Sequence, residues 1–172
     1  MGTLYDKINQ SPPLERRTKN KHMKKITLLV LTCTLGLASM AQLKNPVKWT
    51  YAAKKINATN YELRFTAQID RTWHIYTIDH KGDIGVATSF TINTNPLATT
   101  VGNVSTTAKA LAMKDPSTGT NVKFYEGQVV FIQKIKLKAP VKTNITGTVE
   151  FMACDDKQCL APTTKAFNID LQ

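Results

Sequence analysis

The chain has no apolar run of the ~20 residues that a bilayer-spanning helix requires. Its longest such stretch, Ile26 to Leu37, is too short to cross comfortably. No window combines a 3.6-residue apolar period with caps, which argues against a helical fold. Basic residues are not interleaved with aromatics, and Lys134, Lys136 and Lys138 alternate along one strand-like run. That pattern describes a solvated strand face rather than a nucleic-acid stripe, so no nucleic-acid partner is expected. Serine-nucleophile, paired-carboxylate and phosphate-loop motifs are missing, as are internal repeats and low-complexity segments. The 172 residues therefore leave room for one domain plus a targeting segment.

The targeting segment is legible. Lys24 and Lys25 precede the apolar run, and Ser39-Met40-Ala41 follows it, giving the charged, apolar and small-residue parts of a secretory signal. Met23 reads as the start. Residues 1–22, polar and patternless, read as a misread or added extension, 23–41 as the signal peptide and 42–172 as the mature domain. Cleavage between Ala41 and Gln42 discards Cys33 with the signal and leaves 16 basic against 10 acidic residues, a formal charge of +6.

The mature part alternates in twos. Tyr61, Leu63, Phe65, Ala67 and Ile69 are apolar, and the residues between them are polar. Val129, Phe131, Ile135, Leu137 and Ala139 do the same against the three lysines. Shorter versions lie at Val47–Tyr51, Trp73–Ile78, Ser89–Ile92, Thr148–Ala153 and Lys165–Leu171, while Thr99–Leu111 is compatible with strand or loop. Seven or more short strands separated by turn formers predict an all-β fold, an antiparallel two-sheet sandwich, with a small barrel as the alternative. Trp49, Leu63, Phe65, Phe131, Ile135, Phe151 and Phe167 are its expected core.

Cys154 and Cys159 remain after processing, in a compartment where disulfides persist. Alternation places Cys154 with Thr148, Glu150 and Met152, away from the apolar face at a strand end that partners can reach. A bridge closing so short a loop contributes only about 2 kcal/mol of chain entropy, which makes it a weak staple. Asp155 and Asp156 disfavour a thiolate and no helix N-terminus offsets them, so the pair is better suited to being attacked than to attacking. An exchange-active pair and an inert local bridge both remain open on spacing alone. His74 and His80 with the two cysteines fit only loose zinc spacings, and neither metal nor cofactor is expected.

The segment Glu150–Ile169, containing Cys154-Asp155-Asp156-Lys157-Gln158-Cys159-Leu160-Ala161-Pro162, resembles the active-site segment of the N-terminal domain of the thiol:disulfide interchange protein DsbD family. Trp73-His74-Ile75-Tyr76 resembles the family's aromatic strand, whose alternate tyrosines flank the cysteines. Phe124-Tyr125-Glu126-Gly127 resembles its cap loop, whose ring covers the disulfide. The resemblance runs from about Trp49 to Leu171. It implies an immunoglobulin-like sandwich in the periplasm, relaying electrons through a Cys154/Cys159 redox pair. Phe124 and Tyr125 would form the cap, with Tyr76 and His74 flanking the pair and Cys159 forming the mixed disulfide. A thioredoxin-like domain or membrane thiol reductase is the implied electron donor. A periplasmic disulfide isomerase or cytochrome c maturation protein is the implied acceptor. This chain departs from the family pattern in a cysteine spacing one residue shorter, in Val122-Lys123 where an acidic pair precedes the cap, and in His74 where a tyrosine is usual. No electron conduit or thioredoxin-like domain follows in the sequence, so a separate protein is expected to supply the electrons. The rival is a non-catalytic immunoglobulin-like binding or structural module whose bridge is inert.

Overall fold

The alternation in twos produces strands throughout the computed structural model, which describes residues 44–81, 84–114 and 119–172. The signal peptide, its cleavage site, Cys33 and the 1–22 extension lie outside the described residues. Among the described residues there is no helix. The strands are β1 (Val47–Lys55), β2 (Asn60–Ile69), β3 (His74–Tyr76), β4 (Ser89–Ile92), β5 (Ala98–Thr106) and β6 (Leu111–Lys114). They continue with β7 (Asn121–Tyr125), β8 (Gln128–Leu137), β9 (Thr143–Phe151), β10 (Ala153–Cys154) and β11 (Thr163–Leu171).

Two antiparallel sheets form the sandwich, one ordered β1-β2-β8-β5 and the other β11-β9-β4. The inward residues of β2, Tyr61, Leu63, Phe65, Ala67 and Ile69, are all buried. They meet Ile145, Val149, Phe151, Phe167, Ile169 and Leu171 from the facing sheet. Ring contacts tie the layers, with Phe65 centred 4.9 Å from Phe167 and Trp49 5.4 Å from Phe151. Each such large side chain removed from water contributes about 1.5–3 kcal/mol. Six of the expected core residues are buried outright, and Trp49 packs against the core half-buried. At Gly147, centred between Ile92 and Phe167 in the register, a Cβ would overlap the carbonyl oxygen of Thr91 and the Phe167 ring.

The segment Thr99–Leu111 is strand at both ends, supplying most of β5 and the first residue of β6. Ala139 falls outside β8, which ends at Leu137 before Pro140. One inward position of β8 is polar. Gln133 lies opposite Leu63 and is 3% exposed. Its amide donates to the carbonyls of Val101 at 3.2 Å and Gly102 at 3.1 Å. There β5 slips in register against β8, and Gly102 adopts a φ of 68°. The bulge turns carbonyls away from the ladder, and a buried donor is needed to satisfy them.

A third, smaller sheet, β10-β3-β7-β6, gathers at one end of the sandwich. Short connections put it there: β3 follows β2 after a turn closed from Trp73 N to Asp70 O (3.1 Å), and β7 precedes β8 by Glu126-Gly127. β10 follows β9 after Met152 alone.

Candidate redox site

The cysteines belong to a tight hairpin that their local sequence builds. Asp155 opens a turn whose tip is Asp156-Lys157, and Asp155 N–H donates to Gln158 O at 2.8 Å. Its carboxylate accepts from the backbone N–H groups of Lys157 and Gln158, both at 2.8 Å, as aspartate at the first position of a turn does. Leu160 N–H donates to Ala153 O at 2.9 Å. With those two pairs hydrogen-bonded, Cys154 and Cys159 occupy the intervening pair without ladder bonds, where antiparallel strands bring side chains closest. Their Cα atoms are 4.0 Å apart, and the two sulfurs are joined in a disulfide.

Register places the site on one face of the third sheet. Cys154 pairs with His74, Tyr76 with Phe124, Phe124 with Leu111 and Val122 with Met113. Cross-strand partners and residues two apart share a face, so all seven project to the same side. Tyr76, Val122 and Cys154 form a buried cluster with Met113 and Met152 packed against it. The Tyr76 hydroxyl lies 3.8 Å from Cys154 Sγ. A disulfide sulfur carries no proton, so the hydroxyl is the donor.

Each residue singled out in the sequence has a definite place here. Cys154 faces away from the main core, as expected, but Tyr76, Val122, Met113 and Met152 cover that side, so it is 1% exposed, contrary to the expectation that partners reach it there; Cys159 is the exposed member. The alternation carries on through Met152, with Phe151 and Ala153 in the main core and Met152 and Cys154 on the other side, but the chain steps there into another sheet whose own side chains cover that face. Phe124 lies within β7 rather than in a loop, is 7% exposed and stacks at a tilt on His74 with ring centres 4.8 Å apart. Tyr125 turns to the opposite face and packs edge-on against Phe131 in the main core. Burial raises its phenol pKa first, and the charge of Asp79 adds to the effect. His74 is buried beside Cys154, and desolvation holds its pKa below the ordinary 6.5 against the opposing pull of Glu126, Asp156 and Asp155.

Sequence reading missed three neighbours of Tyr76. His80 stacks on its ring at 4.4 Å, Gly85 lies against the same ring, and Thr88 donates to its carbonyl at 2.7 Å. They come from the β3–β4 connection, where the sequence offered only His80, and that as a loosely spaced zinc ligand. Val122 was missed as well, although its spacing of two from Phe124 puts it on that face. Among the described residues, no group of three or more His, Cys, Asp or Glu side chains is gathered to hold a metal ion.

Residues 42–171 match the family described as thiol:disulfide interchange protein DsbD, N-terminal. Among solved structures, the N-terminal periplasmic domain of ScsB from Proteus mirabilis aligns with a TM-score of 0.50 at 19% identity. That alignment covers 73% of this chain and 48% of that one, so this chain spans about half the length of the ScsB structure it matches. The Neisseria meningitidis DsbD N-terminal domain in its reduced form aligns at 14% identity, covering 72% of this chain and 84% of that one, with a TM-score of 0.47. The complex between the DsbD and PilB N-terminal domains from Neisseria meningitidis aligns at 13% identity, with coverages of 77% and 91% and a TM-score of 0.46. No curated protein matches the sequence.

Proposed function

The chain belongs to the DsbD N-terminal family, and from that membership we propose that it is an exported thiol–disulfide relay domain in which Cys154 and Cys159 cycle between disulfide and dithiol. The observation that carries this reading is the asymmetry of the pair: Cys159 is open to a partner, while Cys154 is buried with a hydroxyl donor at its sulfur.

The exchange follows from that asymmetry. A thiolate of a reduced thioredoxin-like donor attacks Cys159 Sγ, and a new donor–Cys159 disulfide forms as the Cys154–Cys159 bond breaks. The electron pair departs on Cys154 Sγ, which accepts the Tyr76 hydrogen bond and then a proton. The donor's second thiolate attacks the donor sulfur of the mixed disulfide and expels Cys159. Two electrons have moved, leaving the donor oxidised and this chain a dithiol. In the forward step, Cys159 attacks an acceptor disulfide and Cys154 resolves the adduct.

Phe124 serves as the lid that shields the pair from small thiols, with His74 and Tyr76 flanking it. The donor is a thioredoxin-like domain or a membrane thiol reductase. The acceptor is a periplasmic disulfide isomerase or cytochrome c maturation protein. Residues 23–41 direct export to the periplasm and are removed before Gln42.

The test is to mix the Cys154→Ser protein with an oxidised periplasmic thioredoxin-like protein. A covalent adduct on a non-reducing gel is expected, because the resolving thiol is gone. No adduct with any such partner, together with a wild-type potential below about −300 mV, would favour the inert immunoglobulin-like module.

A further inference from the structure

We propose that His80, Gly85 and Thr88, which lie between β3 and β4, form a clamp that aims the Tyr76 hydroxyl at Cys154, acting as its positioning residues. The proposal rests on the reading that the disulfide undergoes exchange. It concerns how readily Cys154 leaves, whichever partner attacks Cys159.

A buried sulfur makes a poor leaving group, because its thiolate forms where water cannot solvate it. A better-stabilised leaving thiolate departs faster. The hydroxyl of Tyr76 is placed to supply that stabilisation, 3.8 Å from Cys154 Sγ before the bond breaks. Its usefulness depends on where the ring is held, since two side-chain torsions decide where the oxygen points.

Three contacts from this connection hold it. The His80 ring lies against the Tyr76 ring at 4.4 Å, with the planes 29° apart. His80 is fixed in turn: its Nε2 meets the carbonyl of Ile84 at 2.8 Å. A carbonyl only accepts, so Nε2 carries the proton. The backbone N–H of His80 also donates to Thr77 O at 3.3 Å. Gly85 takes a φ of 88°, which side chains rarely adopt, and a Cβ there would overlap the Tyr76 ring. Thr88 is 1% exposed, and its hydroxyl donates to the Tyr76 carbonyl at 2.7 Å, pinning the end of β3. One connection thus supplies a stacked ring, a bare backbone and a buried hydroxyl to a single tyrosine.

The clamp can be read in the rate at which dithiothreitol reduces the full-length protein. Tyr76→Phe, which removes only the hydroxyl, is expected to slow reduction roughly tenfold, the worth of one hydrogen bond to a charged sulfur. Gly85→Ala and His80→Ala should slow it comparably, and His80→Phe, which keeps the stacked ring, should recover most of the wild-type rate. In a Tyr76→Phe background, Gly85→Ala should cost nothing more, because the group it displaces is already gone. A purely structural loosening predicts the opposite: faster reduction by a small thiol, and equal effects in both backgrounds. Either result overturns the proposal, as does a rate unchanged by Tyr76→Phe. If Gly85→Ala does not fold, the His80 pair carries the same comparison. These kinetics use no partner protein, so a missing adduct in the trapping experiment would count against the relay and leave the clamp to be judged on its own rates.

Discussion

Cys154 and Cys159 face each other across one pair of a tight hairpin, their Cα atoms 4.0 Å apart, yet the first is 1% exposed and the second lies at the surface. A bridge with one buried and one open end has a direction built into it. On the proposed exchange, an attacking sulfur is expected to reach Cys159 and to leave the electron pair on Cys154.

That direction predicts unequal thiols after reduction. A brief pulse of iodoacetamide on the reduced protein, followed by peptide mass spectrometry, should label Cys159 well before Cys154. Cys154→Ser should trap a thioredoxin-like partner, whereas Cys159→Ser should not. Equal labelling would contradict the asymmetric mechanism.

Phe124 is 7% exposed and fixed within β7 against His74. Removing its ring uncovers the side of the sheet that carries the disulfide. Phe124→Ala should therefore speed reduction of the wild-type bridge by small thiols such as glutathione. Burial of a phenylalanine is also lost, at a cost of about 3–5 kcal/mol in stability. Rates are best compared well below the lowered melting temperature.

His74 gives the fold a pH dependence whose sign follows from its burial. Its folded pKa lies below 6.5 because desolvation penalises the imidazolium more than Glu126, Asp156 and Asp155 favour it. The unfolded chain therefore binds the proton first as pH falls. Stability referable to His74 is complete above pH 6.5 and declines as pH drops from there toward the folded value. Urea midpoints between pH 7.5 and 5 should fall more steeply for wild type than for His74→Phe. Parallel curves would refute the assignment.

Gln133 is the donor that the β5 bulge requires. Gln133→Leu keeps the volume but leaves the Val101 and Gly102 carbonyls without it, and should cost about 1–3 kcal/mol in chemical denaturation. Exchange chemistry in the third sheet should be unaffected.

In the facing sheet, Gly147→Ala should destabilise by about 1–3 kcal/mol, because the added methyl meets the Thr91 carbonyl and the Phe167 ring. A melting temperature equal to wild type would show that the strands can shift to accept it.

The strands were legible in the sequence because the signal that makes them is local. Side chains alternate sides of a strand every residue, so Tyr61 through Ile69 and Val129 through Leu137 declare their inward faces without reference to any partner. The cysteine spacing and the Asp155 turn were equally local, and they specified the hairpin. Tertiary structure decided what parity could not. Alternation placed Cys154 off the main core, and only the third sheet, with Tyr76, Val122 and Met113 on that side, buried it. Gln133 reads as a break in the pattern until the slipped register of β5 supplies its acceptors, 31 and 32 residues away in sequence. The sequence identified Phe124 and Tyr125 together, and only the sheet separated them, one to the cysteine face and one to the core. The surroundings of Tyr76 were the least legible of all. A ring, a glycine and a hydroxyl from a turn-rich connection carry no periodicity that marks them, and they acquire meaning only when the chain folds back onto β3.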